Sequence, residues 1–376
     1  IPKEIIDGET RVAVTPSTIK EMIKAGLKVQ IESGAGERSF ISDNDFINAG
    51  AEIIDNSDEL YKNTDIVLKV FGPTNKEISQ YNDKITFISL LQPTREIDTV
   101  TDLSDKSITG FSMHLIPRTT LAQKMDALSS QANIAGYKAV LIAASKLGIY
   151  MPLLMTAAGT IRPAKVLVLG AGVAGLQAIA TAKRLGSQVE AFDVRPVVKE
   201  QVESLGAKFI EVESESEDGV GEGGYAKETT DDYKQKQQEL IQERISVADA
   251  VITTALIPGR PAPILISKSM VEKMKPGSII MDLAAENGGN CELTKKDDVV
   301  NFNQVTIDGT SNIPATMPVH ATELYAKNIC AFLLYMIKDS KLNIDLEDEI
   351  ISGSLFTYEG KITHEPTLEL IQNKKG

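Results

Sequence analysis

The chain has 376 residues, of which 42% are hydrophobic and 24% charged, a balance that excludes disordered, collagen-like and repeat proteins. This length exceeds what one hydrophobic core usually serves, so two domains are expected. The formal net charge of −13 disfavours nucleic acid and an anionic membrane surface as partners.

The N-terminal part of the chain alternates between helix signals and short apolar runs. Thr15 can cap a helix that has Pro16 at its first position and ends at Gly26. Ser42 opens a second, short helix, with Asp45 three residues later. Residues 28–32 are interpreted as a strand, and apolar runs that are typical of buried strands occupy residues 65–70, 85–90 and 107–111. This alternation predicts an α/β structure with a parallel sheet covered by helices.

A long helical pattern at residues 122–147 has apolar residues at steps of three and four, and it is interpreted as a connector between two domains. A second α/β unit follows, with helices at 173–185 and 197–205 and strands at 165–169, 188–192, 250–253, 278–283 and 305–307. Residues 211–238 are acidic, rich in glycine and without periodicity, which predicts a lid or a disordered loop. After them, an amphipathic helix at 323–337 is expected to cover the first sheet, followed by an acidic linker and a short tail.

A glycine-rich turn with the spacing GxGxxG occupies residues 170–175, between a predicted strand and a predicted helix. Gly170 permits the tight turn, Gly172 lets the backbone approach a pyrophosphate, and Gly175 lets the helix pack on the strand. The pyrophosphate is expected at the start of the helix, beside Val173, where free N–H groups and the positive end of the helix dipole meet it.

An acidic residue, Asp193, stands at the end of the next predicted strand, 23 positions after Gly170. A carboxylate at this place accepts hydrogen bonds from the ribose 2′-OH and repels a 2′-phosphate, which favours NAD over NADP. Arg195 weakens this preference, because an arginine can hold a 2′-phosphate. A glycine turn that serves packing alone is the alternative, and the strand and helix on either side of the turn disfavour it.

Metal chemistry is not indicated. The two cysteines are far apart and form neither a disulfide framework nor a metal-binding pair. The three histidines are widely spaced and form no zinc pattern, so no metal site is predicted.

Several long motifs carry a family resemblance: AQKMDALSSQ at 122–131, GAGVAGLQ at 170–177, DVR at 193–195, KEQVESLG at 199–206, GGYAKE at 223–228, ITTALIPGRPAP at 252–263 and DLAAENGGN at 282–290. With RVA at 11–13 and KV at 69–70, they resemble the soluble NAD(H)-binding component of the proton-translocating NAD(P) transhydrogenases. That component, domain I, is the N-terminal region of the alpha subunit and is related to alanine dehydrogenase.

The resemblance implies two Rossmann-like domains with parallel sheets, joined by long helices around a cleft. Residues 1–124 and 320–376 are expected to form the first domain, and residues 125–319 the NAD(H)-binding domain, with a mobile loop near 211–238. It also implies a homodimer with two partners: a separate soluble domain that holds NADP(H), and a membrane domain that conducts protons. Hydride then passes directly between the two nicotinamides, coupled to proton translocation. The chain would be peripheral to a membrane, on the cytoplasmic side of a bacterial plasma membrane or the matrix side of a mitochondrial-type inner membrane.

By the same resemblance, Arg118, Gln123, Asp126 and Ser129 surround the nicotinamide, with Gln123 placed to touch the incoming NADP(H) nicotinamide. Polar groups suffice here, because hydride transfer needs no proton donor from the protein and the work is the orientation of two rings. Without the resemblance, Asp126 and Ser129 are better interpreted as a solvated helix face and Arg118 as part of a surface ion pair.

The resemblance assigns further residues to the dinucleotide. Gly224 and Tyr225, in the mobile loop, are expected to fold over the bound nucleotide and exclude water, whereas composition alone favours a solvated acidic loop. The other cofactor-binding positions that it implies are Val194, Thr254, Ala255 and Leu256.

Amino-acid dehydrogenation is the main alternative, because alanine dehydrogenases share this architecture. Arg11 and Lys69 stand where that family binds the carboxylate of its substrate, and Glu286 stands near its aspartate. Gln92, however, stands where that family has its catalytic histidine, and amine oxidation requires a proton acceptor that an amide cannot provide. A third hypothesis is a non-catalytic NAD(H)-binding module that regulates a partner, because the proposed residues orient rather than react.

Overall fold

The computed structural model describes residues 1–82, 85–212, 231–257 and 260–375. The chain forms two compact units: unit 1 comprises Ile1–Gln131 and Pro314–Gly376, and unit 2 comprises Ala132–Ile313. The boundaries expected from the sequence, after residue 124 and before residue 320, lie within two helical turns of those of the compact units.

Helices and strands alternate along both units. In chain order, the helices of the described ranges are α1 (Pro16–Lys24), α2 (Asp43–Asn48), α3 (Ser57–Leu60), α4 (Asn75–Gln80), α5 (Ile97–Asp105), α6 (Ala127–Lys146), α7 (Val173–Arg184), α8 (Lys199–Ser204), α9 (Asp231–Val247), α10 (Lys268–Val271), α11 (Pro318–Tyr335), α12 (Glu349–Ser354) and α13 (Glu365–Lys375). In the same ranges the strands are β1 (Gln30–Glu32), β2 (Glu52–Ile54), β3 (Ile66–Leu68), β4 (Thr86–Ser89), β5 (Thr109–Ser112), β6 (Leu154–Thr156), β7 (Gly159–Ile161), β8 (Lys165–Leu169), β9 (Gln188–Phe192), β10 (Lys208–Ile210), β11 (Ala250–Thr253), β12 (Ile279–Asp282), β13 (Val299–Phe302), β14 (Val305–Asp308), β15 (Ile337–Lys338), β16 (Lys341–Leu342), β17 (Leu355–Tyr358) and β18 (Lys361–Ile362). Within these ranges, no helix has both the length and the apolar character that crossing a bilayer requires. The α/β class predicted from the sequence is confirmed.

Unit 2 contains a seven-stranded sheet in the order β10-β9-β8-β11-β12-β14-β13, in which only the edge strand β13 runs antiparallel to its neighbour. This is the doubly wound order, in which the chain builds outward from β8 in one direction and then from β11 in the other. Both faces of β8 are buried, because Val166 and Val168 belong to one hydrophobic cluster and Leu167 and Leu169 to another. The order therefore reverses between β8 and β11, and ligands bind at such a switch point, outside the carboxyl ends of the strands.

Unit 1 is built on a five-stranded sheet in the order β18-β17-β5-β4-β3. The strands β3, β4 and β5 are parallel, as their apolar runs predict, whereas β17 and β18 are antiparallel additions from the C-terminal segment. The prediction of a short tail after the last long helix is therefore wrong, because that segment completes the sheet. The parallel strands of unit 1 and the sheet of unit 2 confirm a fold with two α/β domains.

Helix α11 covers the sheet of unit 1, as the amphipathic pattern predicts, although it begins at Pro318, earlier than expected. The rings of Phe332 on this helix and Phe111 on β5 meet edge to face, with centroids 5.6 Å apart. Both side chains belong to a buried cluster with Leu68 and Ile88 of the neighbouring strands. The helix and the sheet thus share one core.

The predicted helix starts in unit 1 are confirmed where the sequence carries a cap. Thr15 accepts a hydrogen bond from the backbone N–H of Thr18 and caps α1, with Pro16 at its first position. Ser42 caps α2, and the carboxylate of Asp45 accepts the Ser42 backbone N–H at 2.9 Å. These reciprocal pairs satisfy N–H groups that have no partner inside the helix.

The long helix predicted over residues 122–147 begins later than expected. Gln123–Met125 form a 3₁₀ turn, and α6 starts only at Ala127. The break lies at Asp126, which has a non-helical ψ of 82° and accepts the backbone N–H of Ser129 at 2.9 Å. Asp126 therefore acts as the N-terminal cap of α6, because a short acidic side chain competes with helix formation and satisfies the first N–H groups. The same helix then continues past the last residue of unit 1 into unit 2.

A second correction concerns the segment at 211–238, which the sequence predicts to be a loop. Residues 213–230 lie outside the described residues, but α9 already begins at Asp231. Its apolar positions, Ile241 and Ile245, are buried only in the second half of the helix. The first half lacks the apolar periodicity on which the sequence prediction depends.

The packing of α11 predicts a large difference between two phenylalanines. Phe332 is fully buried, whereas 79% of Phe40 is exposed. Phe332→Ala should lower the free energy of unfolding by about 3–5 kcal/mol, because it leaves a cavity under the helix. Phe40→Ala is the matched control and should change it by less than about 0.5 kcal/mol. Urea denaturation followed by circular dichroism measures both, and equal losses would contradict this packing.

Candidate functional site

The glycine-rich turn connects the carboxyl end of β8 to the start of α7, and each of its three glycines has a different structural role. Gly170 has a φ of +100°, a left-handed conformation that favours glycine. A Cβ atom on Gly175 would overlap the carbonyl oxygen of Gly170, so only glycine lets the helix approach the strand this closely. A Cβ atom on Gly172 would meet no atom within 4 Å. Because no packing requires a glycine at Gly172, the open space there suits the approach of a ligand.

The start of α7 offers hydrogen-bond donors to that space. Gly172 is the N-terminal cap residue, and as a glycine it gives the first turn no side-chain cap. Val173, the first residue of this 12-residue helix, is 39% exposed. The unpaired N–H groups and the helix dipole favour an anion at this end. The geometry therefore fits a pyrophosphate, as the sequence predicts.

Gly136, on α6, also shapes this end of α7, and sequence reasoning missed it. A Cβ atom on Gly136 would overlap the carbonyl group of Ala174, in the first turn of α7. The backbones of α6 and α7 are therefore in close contact at this point, and a glycine at position 136 allows it. An isolated glycine inside a helical pattern is the signal that could have indicated such an approach.

The carboxylate of Asp193, just after β9, connects the turn to the next strand. Its Oδ2 atom accepts the backbone N–H of Ala171 at 2.7 Å and Nη2 of Arg195 at 2.8 Å. Its Oδ1 atom accepts the backbone N–H and the Nε of Arg195, both at 2.9 Å. The two side chains thus form a bidentate ion pair, and the effect of Arg195 on the choice between NAD and NADP stays a prediction. Val194, between them, is half-buried and packs on the core of the sheet.

The loop after β11 lies beside the turn. Thr254 donates from Oγ1 to the carbonyl oxygen of Gly170 at 3.0 Å. Ala255 is half-buried, and the side chain of Leu256 is 44% exposed. The structure thus brings together residues after β8, β9 and β11 that the sequence analysis predicts to bind the dinucleotide. The predicted lid residues Gly224 and Tyr225 lie outside the described residues.

Two fully buried residues, to which the sequence assigned no role, hold this loop in place. Asn290 accepts the backbone N–H of Ala255 at 3.0 Å and donates to the carbonyl oxygens of Ala255 and Pro263 at 2.9 and 2.8 Å. Asp282 in turn accepts the backbone N–H of Asn290 at 2.8 Å and the hydroxyl of Thr253 at 2.9 Å. Asp282 and Asn290 are polar residues inside an apolar and glycine-rich motif, and buried polar side chains need hydrogen-bond partners. This pattern is the sequence signal that could have indicated their structural role.

The residues predicted to meet a nicotinamide lie in unit 1, in two settings. Arg118 and Gln123 are exposed, on the segment that precedes α6. Asp126 and Ser129 are half-buried, and the hydroxyl of Ser129 donates to Oδ2 of Asp126 at 2.5 Å. The alternative of a solvated helix face fails for Asp126, because this residue caps the helix rather than lying on its surface.

Arg11 and Lys69, also in unit 1, are buried and neutralised by carboxylates of the chain itself. The guanidinium of Arg11 donates from Nε and Nη2 to the two carboxylate oxygens of Glu9, at 2.8 and 2.7 Å, and from Nη1 to Gln131 at 2.8 Å. The Nζ atom of Lys69 lies 2.5 Å from Oε1 of Glu77. Both cations are therefore paired within the chain itself.

Neither Gln92 nor His114 offers an effective proton acceptor for amine oxidation. Gln92 is half-buried and does not titrate. Burial, and then the charges of Arg95 and Arg118, lower the pKa of His114 to about 4, so it is neutral and weakly basic near neutral pH. The carboxylate of Glu286, in unit 2, accepts a backbone N–H at 3.1 Å.

A doubly wound parallel sheet with a glycine turn at its switch point defines unit 2 as a dinucleotide-binding domain of the Rossmann type. The family described as "Alanine dehydrogenase/PNT, N-terminal domain" matches residues 1–135, and "Alanine dehydrogenase/PNT, C-terminal domain" matches residues 139–365. The chain belongs to this alanine dehydrogenase/PNT family.

Within the family, the chain is similar to transhydrogenase subunits. It is 45% identical over 372 residues to an alpha-subunit chain of the NAD(P) transhydrogenase of Rhodospirillum rubrum, a match that covers 97% of each chain. A crystal structure of transhydrogenase from Sinorhizobium meliloti shares 41% identity at a TM-score of 0.84, over 96% of this chain and 97% of that one. An alanine dehydrogenase of Methanococcus maripaludis is 27% identical, over 97% of this chain and 94% of the other. The resemblance predicted from the motifs is confirmed.

The different roles of the glycines predict different stabilities. Gly175→Ala should lower the free energy of unfolding by about 1–3 kcal/mol or more, because the new methyl group forces α7 away from β8. Gly172→Ala should cost less than about 1 kcal/mol, because the methyl group enters open space and only the cap is weakened. Thermal unfolding of the two variants measures the difference, and similar losses would contradict the assignment of Gly172 to a ligand.

Proposed function

We propose that this chain is the NAD(H)-binding component of a proton-translocating NAD(P) transhydrogenase, an oxidoreductase that is incomplete without partner domains. The observation that carries the proposal is the turn in unit 2, which combines open space at Gly172, an uncapped start of α7 and a carboxylate at Asp193. The reaction is suggested by the relatives, because an NAD(P) transhydrogenase alpha-subunit chain matches this one over nearly its full length.

The residues of unit 2 suit the pyrophosphate and the adenosine ribose of NAD(H). The N–H groups at the start of α7 would hold the pyrophosphate, and the carboxylate of Asp193 would accept hydrogen bonds from the adenosine ribose. The loop from Thr254 to Leu256, held by Asn290, offers backbone groups beside the turn. Bound NAD(H) carries the hydride at its nicotinamide, and the chain itself binds and orients it.

In unit 1, we assign Gln123 and Arg118 to the orientation of the nicotinamide. Both are exposed polar side chains, and Gln123 can donate and accept hydrogen bonds. Asp126 and Ser129 would act by fixing the backbone next to Gln123, because Asp126 ends the 3₁₀ turn and caps α6. Orientation of two rings at close range is sufficient for direct hydride transfer, which needs no proton from the protein.

The proposed acceptor is NADP(H) on a separate partner domain, and a further partner domain would conduct protons through a membrane. The proposed location is therefore the surface of a membrane, on the cytoplasmic side in a bacterium or the matrix side in a mitochondrion. Closure of the segment with Gly224 and Tyr225 over the nucleotide stays a prediction.

Oxidation of an amino acid is the competing proposal, and the geometry of unit 1 disfavours it. An amino-acid substrate needs a cation for its carboxylate, but the side chains of Arg11 and Lys69 are each paired with a buried glutamate. Breaking a buried ion pair is costly, because it leaves an uncompensated charge. The substrate would have to displace Glu9 or Glu77 before it could bind.

Hydride exchange with a partner tests the proposal. Mixed with the NADP(H)-loaded domain of a transhydrogenase, the chain should exchange hydride between NADH and an NADP analogue. Gln123→Asn should slow this exchange by about tenfold or more, because it displaces the amide by one methylene. Its affinity for NADH should change by less than about twofold, since no bond to the dinucleotide turn is lost. Gln201→Asn, at an exposed position of α8, is the matched control.

Two further outcomes separate the hypotheses. NADH binding is followed by quenching of tyrosine emission, since the chain has nine tyrosines and no tryptophan. Reduction of NAD by alanine in the absence of a partner would favour the dehydrogenase. Binding of NADH without exchange, in the presence of a competent partner, would favour the regulatory module and contradict the proposal.

The proposed assembly is a homodimer, and a hairpin in unit 2 supports it. Among the residues that the structure describes, strands β6 and β7 pair only with each other, and an isolated two-stranded hairpin is marginally stable in water. Exposed apolar side chains surround it: Tyr150 is 54% exposed, Leu153 54%, Met155 72% and Ile161 42%. A second copy of the chain can cover this hairpin about a two-fold axis, with the same patch on both sides.

Charges on the hairpin should therefore prevent dimerisation. Leu153→Asp combined with Met155→Asp places two desolvated carboxylates in the proposed interface and should yield a monomer at micromolar concentration. Leu346→Asp, at a 49% exposed site in unit 1, is the control and should remain dimeric. Light scattering coupled to gel filtration measures the mass, and a monomeric wild-type chain or a dimeric double variant would refute the role of the hairpin.

A further inference from the structure

The 3₁₀ turn formed by Gln123–Met125 receives a hydrogen bond from a side chain of α11. The amide of Asn328 donates from Nδ2 to the backbone carbonyl oxygen of Lys124 at 2.8 Å. Lys124 is the middle residue of the turn and directly follows Gln123, so the bond fixes the backbone beside Gln123. The turn and Asn328 both belong to unit 1.

The turn has an inner side, which packs in the core of unit 1, and an outer side, which is exposed. Ala122 and Met125 are buried in the same hydrophobic cluster as Phe332 of α11, whereas the side chains of Gln123 and Lys124 are exposed. Apolar burial holds the turn on the helix but has no direction, so it does not set the orientation of the turn. A hydrogen bond to one carbonyl group does, because its strength depends on distance and angle.

Stability alone does not explain an asparagine at this place in α11. Asn328 is buried, and its Oδ1 atom accepts no hydrogen bond from the residues that the structure describes. A buried polar atom without a partner lowers the free energy of unfolding, and an apolar side chain of similar shape would avoid this loss. The contribution that an apolar side chain could not make is the bond from Nδ2 to the turn.

We propose that Asn328 is a positioning residue for hydride transfer, which acts through the backbone of the 3₁₀ turn to set the place of the Gln123 side chain. The inference rests on the proposed function, because that function assigns Gln123 to the nicotinamide. Asp126 and Ser129 fix the end of the turn from α6, and Asn328 fixes its middle from α11. Displacements of about 1 Å slow a reaction that depends on orientation, so a buried residue can control its rate.

Asn328→Leu removes the bond to the turn together with the unpaired oxygen. Hydride exchange with the NADP(H)-loaded domain of a transhydrogenase should slow by about tenfold or more. The affinity for NADH should change by less than about twofold, because the dinucleotide turn lies in unit 2. The melting temperature should stay equal or rise, since a buried atom without a partner is lost.

A matched control lies on the same helix. Thr322 is also buried on α11, but its hydroxyl accepts the backbone N–H of Val12 at 3.3 Å and forms a hydrogen bond with the hydroxyl of Ser39 at 2.7 Å. Thr322→Val should lower the melting temperature, because the N–H of Val12 loses this partner. Its rate of hydride exchange should stay within about twofold of the wild type, since the turn is untouched.

Asn328→Asp provides a second measurement, in which pH controls the donor. A carboxylate cannot donate to the carbonyl of Lys124, whereas a carboxylic acid can. Burial and the nearby carbonyl oxygen should raise the pKa of the new carboxyl group. The rate of this variant, divided by the wild-type rate at the same pH, should therefore recover between about pH 8 and about pH 6. The same ratio for Asn328→Leu should stay low throughout.

The outcomes separate the inference from the function on which it rests. If the wild type exchanges hydride and Asn328→Leu does so equally fast, Asn328 does not position the turn and the inference is wrong. Losses of rate that follow the melting temperature in both Asn328→Leu and Thr322→Val would also overturn it, as would a flat pH ratio for Asn328→Asp. If the wild-type chain exchanges no hydride with a competent partner, the proposed function itself fails.

Discussion

The close approach of α7 to β8 is the contact on which the candidate site depends. A side chain on Gly175 would overlap the carbonyl oxygen of Gly170, and this absence of a side chain lets the helix start directly above the end of the strand. The backbone N–H of Ala171 is then in place for Asp193, and the carbonyl of Gly170 for Thr254. The doubly wound order places the ends of β9 and β11 on either side of β8. The absence of a side chain at Gly175 therefore allows Ala171, Asp193 and Thr254, which follow β8, β9 and β11, to contact one another through the turn.

The fold alone does not choose the reaction, because alanine dehydrogenases and transhydrogenase subunits share it. The ion pairs in unit 1 bear on the choice between these two reactions. Glu9 and Glu77 neutralise the side chains of Arg11 and Lys69, which would otherwise suit the carboxylate of a small substrate.

Much of unit 2 could be predicted from the sequence, because its signals are local. The strand predicted at residues 165–169 coincides with β8, and the glycine spacing indicated the turn and the start of α7. Periodicity failed where charge or a cap interrupts it, as at Asp126 and in the first half of α9. The roles of Asn290 and the pairing of Arg195 depend on contacts made only after folding, and no spacing rule reports them. The strands β17 and β18 were missed because short strands far along the chain carry little periodicity.

The central claim is that NAD(H) is held at the start of α7, by the turn from Gly170 to Gly175. Hydrogen exchange of the chain with and without NADH, measured by mass spectrometry on peptides, tests it directly. Because bound phosphate takes up the free N–H groups, exchange should slow most in the peptide that contains residues 170–177 and in the one that contains Thr254 to Leu256. Protection that appears elsewhere in the chain, with these two peptides unchanged, would contradict the account.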